Sequence, residues 1–205
     1  MVIIEEIKKG KKSYTITAGG ETIKGVNVNV ALGYALKEGE MERARFEEFL
    51  KDNARENAKE YLYAMVARKS RTIKEAREKL YGKGFHKDAV EHAISVVSSY
   101  GYLNDEEYAK SFVENGSRSK GSFRLKREMQ LKGVGEEDLN LALSELDEED
   151  ECESAKIVAI KYLKGKDAED EKTKEKLFRH LVSRGYSYSI VKKTLRELGT
   201  EIDED

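Results

Sequence analysis

Three histidines and one cysteine are the residues from which a metal or nucleophilic site would have to be built. His86 and His92 are close in sequence, while Cys152, the single cysteine, and His180 lie far downstream. No further cysteine or carboxylate completes a spacing typical of a metal site around them. We therefore interpret the histidines as surface or helix-capping residues, and we expect no metal.

Other catalytic patterns are also missing from the sequence. There is no G-x-S-x-G nucleophile turn, and the lysine run at 8–12 lacks the G-x-x-x-x-G-K-[ST] spacing of a phosphate-binding loop. We interpret that run as a hairpin turn with solvated lysines, with a minor contact to an anion as the alternative. Carboxylates are abundant but occur in solvated runs, not in apolar surroundings that would raise a pKa. The sequence predicts a protein without enzymatic activity or cofactor.

Two clusters of basic residues are the positive functional signal. The first contains Arg68, Lys69, Arg71, Lys74, Arg77, Lys79, Lys83 and Lys87. The second contains Arg118, Lys120, Arg124, Lys126, Arg127 and Lys132. Each cluster spans a loop and the helix after it, so we interpret the two as one continuous basic surface that contacts phosphates or an acidic protein groove. Solvated, lysine-rich helix faces are the alternative.

From these clusters we select the residues expected to bind a protein partner or nucleic acid: Arg68, Lys69, Arg71, Arg77, Lys83, Arg118, Lys120, Arg124, Arg127 and Lys132. The aromatic residues nearby are Tyr81, Phe85, Tyr102 and Phe123. We expect Tyr81 and Phe85 to pack within the fold rather than to stack on bases.

The composition favours thin helical layers over one thick core. Hydrophobic residues make up 39% and charged residues 38% of the 205 residues, and the net charge is -2. There is no proline, so glycine has to end the helices. The single cysteine excludes an intramolecular disulfide and favours a cytoplasmic location. We also predict no signal peptide at the start and no apolar run long enough to span a membrane.

An internal repeat of roughly 50 residues organises most of the chain. Its anchors are Gly84, Gly133 and Gly185, each of which directly follows a basic residue. Apolar residues recur eight and four residues before each glycine, at Ala76 and Leu80, Leu125 and Met129, and Leu177 and Leu181. They recur six, ten and thirteen residues after it, at Val90, Ile94 and Val97, at Leu139, Leu143 and Leu146, and at Val191, Leu195 and Leu198. The second spacing is one buried face of a helix.

Capping residues set the expected helix ends. Thr72, Gly121 and Thr173 are predicted N-caps, and Thr72 can form a capping box with Glu75. Each repeat glycine is predicted to follow its helix with a positive φ, which glycine adopts without steric cost. A further helix is expected before each cap, at 58–67, 105–113 and 154–163. We interpret the acidic stretch at 145–153 as a solvated linker or a helix end.

The start of the chain has a different pattern. Alternating apolar residues predict two strands joined by a turn, and a third strand near 22–28. Asn29 is predicted to cap a short helix that stops at Gly39. Helical patterns at 42–50 and 56–67 follow with no breaker between them, so we expect one nearly continuous helix.

We therefore predict a mainly α protein, with three tandem three-helix repeats stacked as an elongated solenoid after a small β-rich N-terminal unit. The expected boundaries are 1–40 for the β-rich unit, 41–57 for a connecting helix, 58–103 for repeat 1, 104–147 for repeat 2, 151–200 for repeat 3 and 201–205 for an acidic tail.

Three motifs in series resemble the RecX family. Residues 71–85 resemble its R-S-x-x-E-L-x-x-K-L-x-x-K-G-[FY] pattern, and residues 101–113 resemble G-Y-L-[DN]-D-x-x-[FY]-A-x-x-[WFY]-V. Residues 120–134 are similar to K-G-x-x-R-[LI]-x-x-E-L-x-x-K-G-[IV], with Ser122 where the family usually has proline. The resemblance covers the chain from Ala58 onward and, more loosely, the β-rich unit.

This resemblance implies a regulator of RecA that binds the RecA–DNA filament in its groove and modulates recombination and SOS-related activities. The implied partners are the RecA filament and, weakly and without sequence preference, single-stranded or double-stranded DNA. We expect a monomer without a membrane contact. Two alternatives are a sequence-independent DNA-binding module with no recombinase partner, and a pure protein adaptor.

Overall fold

The protein is described by a computed structural model that covers residues 1–199. The chain divides into two compact units, the first Met1–Leu103 and the second beginning at Asn104. Ten helices and four strands are present in the described residues. The prediction of a mainly α protein with a small β-rich N-terminal unit is confirmed, whereas the predicted tail at 201–205 lies outside the described residues.

A four-stranded antiparallel sheet begins the first unit. Its strands are β1 (Val2–Lys9), β2 (Tyr14–Ala18), β3 (Glu21–Val26) and β4 (Gly39–Met41), in the order β3-β2-β1-β4. Alternate side chains face the core, so that Ile4, Ile16 and Val26 are buried. The first three strands match the prediction. The fourth was not expected, because a three-residue strand is too short to show alternation.

The predicted ends of the short helix are wrong. That helix, α1 (Val28–Gly33), is capped by Asn27 instead of Asn29, because the Asn27 side chain accepts the Asn29 N–H at 2.9 Å. The side chain of Asn53 in turn accepts the Asn27 N–H at 2.7 Å and holds this cap in place. Gly39 does not stop the helix; it opens β4 with a φ of 118°.

One continuous helix, α2 (Arg43–Val66), follows the sheet, as predicted. It packs with α3 (Ile73–Gly82) and α4 (Lys87–Ser99) around a core that includes Leu62, Leu80 and Val90. Thr72 caps α3, as expected, and its hydroxyl accepts the Glu75 N–H at 3.1 Å. The three helices of repeat 1 therefore bury their apolar faces against one another.

The described part of the second unit contains six helices: α5 (Asp105–Gly116), α6 (Ser122–Lys132), α7 (Glu136–Ser144), α8 (Glu148–Leu163), α9 (Glu171–Ser183) and α10 (Tyr188–Glu197). The first three enclose a core containing Leu125, Met129 and Leu139. The last three enclose one containing Leu177, Leu181 and Val191. The helical spacing around the repeat glycines thus places the expected side chains in the core.

Two predicted helix starts in this unit are wrong. Asp170, not Thr173, caps α9, because the Asp170 carboxylate accepts both the N–H and the hydroxyl of Thr173, at 3.0 and 2.8 Å. The helix α8 begins at Glu148, after its cap Asp147, instead of at Ser154. Of the two interpretations of the acidic stretch, the helix end is therefore correct, and its carboxylates suit the positive end of the helix dipole.

The repeat glycines have the backbone conformation that their position predicts. The φ angles of Gly84, Gly133 and Gly185 are 88°, 81° and 90°. In each case the next residue donates its N–H back to a carbonyl of the last helical turn, as when Phe85 donates to Leu80 at 3.3 Å. This reversal lets the following helix pack back on the one before.

Candidate partner-binding surface

The first basic cluster begins where α2 ends. Arg68 and Lys69 are exposed in the loop to α3, and within residues 1–199 neither forms an ion pair. Arg71 is half-buried beside them, and its Nε is shielded from water and has no hydrogen-bond partner among the described residues. A buried donor without a hydrogen bond destabilises the fold. The Arg71 Nε–H could therefore gain stability by donating a hydrogen bond to a partner.

Two other predicted residues of this cluster make contacts within the first unit. Arg77 forms a two-bond ion pair with Glu91 of α4, through Nε at 2.8 Å and Nη2 at 3.0 Å. The hydrogen bonds from Arg77 lower the pKa of the Glu91 carboxyl. The Nζ of Lys83 lies 5.6 Å from the centre of the Tyr61 ring. Arg77 thus helps to hold α3 against α4.

In the second cluster, Glu128 binds two of the predicted cations. Lys120 donates to one carboxylate oxygen of Glu128, and Arg124 Nε donates to the other at 2.8 Å. Burial alone would raise the pKa of Glu128, but the hydrogen bonds from Lys120 and Arg124 outweigh it, so this pKa is lowered. The charge that these two side chains can offer a partner is therefore reduced.

Lys132 makes the same kind of contact as Lys83. Its Nζ lies 5.7 Å from the centre of the Tyr108 ring. Both lysines directly precede a repeat glycine, and both tyrosines lie on the first helix of the same repeat. A cation over an aromatic face gains electrostatic attraction from the ring, so the two ammonium groups are held at equivalent positions of their repeats.

Within residues 1–199, four of the predicted cations are exposed and form neither an ion pair nor a contact with an aromatic ring: Arg68, Lys69, Arg118 and Arg127. We refer to them as the four exposed cations. Arg68 and Lys69 lie in the α2–α3 loop of the first unit. In the second unit, Arg118 lies in the α5–α6 loop and Arg127 lies on α6. The binding role of the whole predicted set stays a prediction, but these four side chains have the most charge available for a partner.

Inside the second unit, the loop before α6 packs on the end of α9. The Gly121 N–H donates to the Arg184 carbonyl at 3.0 Å, and the Phe123 N–H donates to the Gly185 carbonyl at 3.1 Å. A Cβ atom on Gly121 would lie 2.3 Å from the Gly185 carbonyl carbon and oxygen. The glycine of the K-G motif in repeat 2 is thus a packing residue at the junction with repeat 3.

Sequence reasoning missed three polar contacts at this junction. Glu151, which is only 8% exposed, accepts the N–H of Ser122 at 2.7 Å. The Ser154 hydroxyl donates to the Ser117 carbonyl and lies 2.8 Å from the Tyr186 hydroxyl. Burial raises the pKa of Tyr186. The sequence signal for this tyrosine is its place directly after a repeat glycine, where Phe85 stands in repeat 1.

The aromatic residues near the clusters behave differently from one another. Phe85 packs against the core, with its ring centre 6.2 Å from that of Tyr61, as predicted. Tyr81 is 43% exposed and lies outside that core, so the packing predicted for it is wrong. Tyr102 and Phe123 are each 65% exposed.

The histidines and the cysteine occupy unrelated positions. His86 caps α4 through its backbone, whereas His180 is half-buried in the last turn of α9 and stacks on Tyr162 at 4.7 Å. Burial lowers the pKa of His180 and raises that of the Cys152 thiol. In the described part of the chain, no group of three or more histidine, cysteine or acidic residues could hold a metal ion.

None of the helices in the described residues is long and apolar enough to cross a membrane.

These features define a class: a protein of tandem three-helix repeats, in which a basic residue and a glycine end the middle helix. The model of the second three-helix domain of RecX matches residues 104–143, and the model of the third three-helix domain of RecX matches residues 148–195. The chain belongs to the RecX family.

Individual relatives support this assignment. The regulatory protein RecX of Clostridium perfringens (strain 13 / Type A) is 40% identical over 136 residues, which are 65% of this chain and 64% of that protein. The protein of the same name from Prosthecochloris aestuarii is 32% identical over 128 residues and is covered to 83% of its length. That of Clostridium beijerinckii is 26% identical over 209 residues, which cover 100% of this chain and 98% of that protein.

Two solved structures have a similar fold. A crystal structure of regulatory protein RecX has a TM-score of 0.71 at 22% identity and covers 98% of this chain and 100% of its own. The crystal structure of RecX from Lactobacillus salivarius has a TM-score of 0.66 at 22% identity, over 73% of this chain and 99% of its own. At this level of identity the similarity establishes the fold alone.

Proposed function

We propose that this protein is a non-enzymatic regulator of RecA that binds the RecA–DNA filament in its groove and modulates recombination and SOS-related activities. The observation that carries the proposal is the set of four exposed cations on a member of a family whose relatives are named regulatory proteins. Unpaired cations on a surface attract phosphates and acidic protein groups without reading a sequence.

The placement of these cations supports a weak, distributed contact. Each unit presents two of them, so no single unit carries the whole charge. When two modules of one chain bind the same filament, the second contact becomes intramolecular and can raise affinity by roughly 10²–10⁴. We therefore propose that both units contact the filament.

A sequence-independent DNA-binding module is the second candidate. The same exposed cations favour it, because phosphate contacts alone give affinity for any nucleic acid. The two candidates differ in what the protein adds to DNA binding. A filament regulator must prefer RecA on DNA to DNA alone, whereas a DNA-binding module has no such preference.

Binding measurements on the full chain test the proposal. Fluorescence anisotropy of the labelled protein would be recorded with RecA alone, with single-stranded DNA alone and with RecA filaments assembled on that DNA. We expect the tightest binding to the filament. Equal affinity for bare DNA and for the filament would favour the DNA-binding module. Hydrolysis of ATP or DNA by the purified protein with Mg²⁺ and no RecA would contradict the non-enzymatic part of the proposal.

A further inference from the structure

An open groove in the second unit combines exposed apolar side chains with Arg127, one of the four exposed cations. Its volume is about 490 Å³, and it lies between one face of α6 and the end of α9. Its apolar lining is Phe123 and Leu131 from α6 and Val182 from α9, which are 65%, 70% and 45% exposed. Large apolar side chains that gather at one exposed site are typical of an interaction surface.

The charge of the groove is positive. Arg124 and Arg127 line it between the two apolar residues of α6, and Glu128 is the acidic residue of the lining. Glu128 already accepts hydrogen bonds from Lys120 and Arg124, which offset its charge. Arg127 is exposed in the groove and, within residues 1–199, forms no ion pair. The occupant that complements this site therefore combines apolar side chains with carboxylates.

The two walls of the groove are fixed to each other before any partner binds. The Phe123 N–H donates to the Gly185 carbonyl, and the Arg124 Nη1 lies 3.5 Å from the Ser183 carbonyl oxygen. The close approach of Gly121 to Gly185 leaves no space between these segments. A groove whose walls are already held in place loses little conformational entropy when it is filled.

We infer that this groove docks an acidic amphipathic helix of a protein partner. Phe123 and Leu131 are eight residues apart on α6, which corresponds to about 12 Å along a helix. An amphipathic helix laid along α6 presents apolar side chains at this spacing, and acidic residues beside them reach Arg127. A nucleic acid fits less well, because two of the three apolar side chains are aliphatic and offer bases no flat ring on which to stack.

The inference deepens the proposed function and rests on it for the partner, since it assigns Arg127 and the apolar side chains of this groove to the protein component of the filament. The groove variant is Leu131→Ser with Val182→Ser, and neither side chain belongs to a buried core. The matched control is Ile160→Ser, an aliphatic residue of α8 that is 58% exposed and does not line the groove. Circular dichroism would verify that both variants retain the helical content of the full chain.

The first measurement is the affinity of each full-length variant for RecA filaments and for single-stranded DNA. Loss of two apolar contacts should weaken filament binding about tenfold or more, with DNA affinity unchanged and the control like wild type. Unchanged filament binding in the groove variant would overturn the inference and leave the proposed function intact. A parallel loss of DNA affinity would overturn it in favour of a nucleic-acid contact.

The second measurement does not need RecA. The probe is a synthetic helical peptide of about 15 residues, with leucines on one face and glutamates beside them. The control peptide has lysine in place of each glutamate. We expect the acidic peptide to bind wild type and to bind the groove variant about tenfold more weakly. Equal binding of the basic peptide, or no binding of the acidic one, would overturn the inference. If wild type bound the acidic peptide but not the filament, the proposed function would fail while the groove assignment stood.

Discussion

Gly121 of repeat 2 and Gly185 of repeat 3 are in direct backbone contact. A Cβ on the first would meet the carbonyl of the second at 2.3 Å, and a Cβ on the second would meet Cβ of Arg124 at the same distance. Gly121 has an ordinary negative φ of −78°, so its requirement for glycine comes from this neighbour and not from its own backbone. The K-G pair of repeat 2 therefore helps to join two repeats.

We predict that Gly121→Ala destabilises the second unit. The added methyl group has to push the backbone of Gly185 away, and overpacking of this kind costs about 1–3 kcal/mol. Urea unfolding followed by circular dichroism measures the loss. Gly82→Ala is the control, because a Cβ at Gly82 meets nothing within 4 Å. Equal stabilities of the two variants would contradict the close approach.

Glu151→Ala should also destabilise the second unit, because it removes the acceptor for the Ser122 N–H at the start of α6. Loss of a group that caps a helix costs about 0.5–2 kcal/mol. Glu151→Gln keeps an oxygen acceptor and should cost less. The control is Glu153→Ala on the exposed face of α8. Thermal unfolding that ranked Glu153→Ala as the more damaging change would disprove the capping role.

Acidification should remove the stabilising effect of Glu128. Its pKa is lower in the folded chain than the usual value of 4.5, so the ionised carboxylate stabilises the fold. That contribution is complete above the usual pKa and is lost as the pH falls through the lowered folded value. Glu128→Gln should therefore be less stable than wild type at neutral pH, and the difference should shrink as the pH falls below 4.5. A constant difference over that range would show that Lys120 and Arg124 are not the cause.

Reversal of the charge at Arg68 and Lys69 should weaken binding to DNA and to filaments and reduce its dependence on salt. Each lost phosphate contact lowers the slope of log affinity against log salt concentration by roughly 1. The change is Arg68→Glu with Lys69→Glu, and the matched control is Lys172→Glu with Lys176→Glu, two exposed lysines of α9 that produce the same change in net charge. An equal effect of both pairs would mean that net charge alone governs binding.

The helical repeats can be predicted from the sequence because their evidence is local and occurs three times. Apolar spacing and glycine position are enough to find Leu80, Met129 and Leu181 in the cores and a positive φ at Gly84. Helix starts are less predictable, because several polar residues in one turn can act as caps. Asp170 caps α9 in place of Thr173 because its carboxylate reaches both donors of that threonine.

The candidate surface is less predictable, because pairing between side chains depends on which helices meet. The clusters of cations are visible in the sequence, but their neutralisation by Glu91 and Glu128 is not. The groove was missed for the same reason. Phe123 and Leu131 belong to one helix, but Val182 joins them only after the end of α9 has packed against the loop before α6.

The contact between Ser122 and Glu151 links two positions that lie far apart in the sequence. In the family pattern that residues 120–134 resemble, proline usually follows the K-G pair, and proline has no N–H to donate to a carboxylate. A single change of Ser122 to proline would leave the nearly buried Glu151 facing a position without a donor. The two positions are therefore expected to change together during divergence, with an acidic residue at 151 accompanying a residue at 122 that retains its backbone N–H.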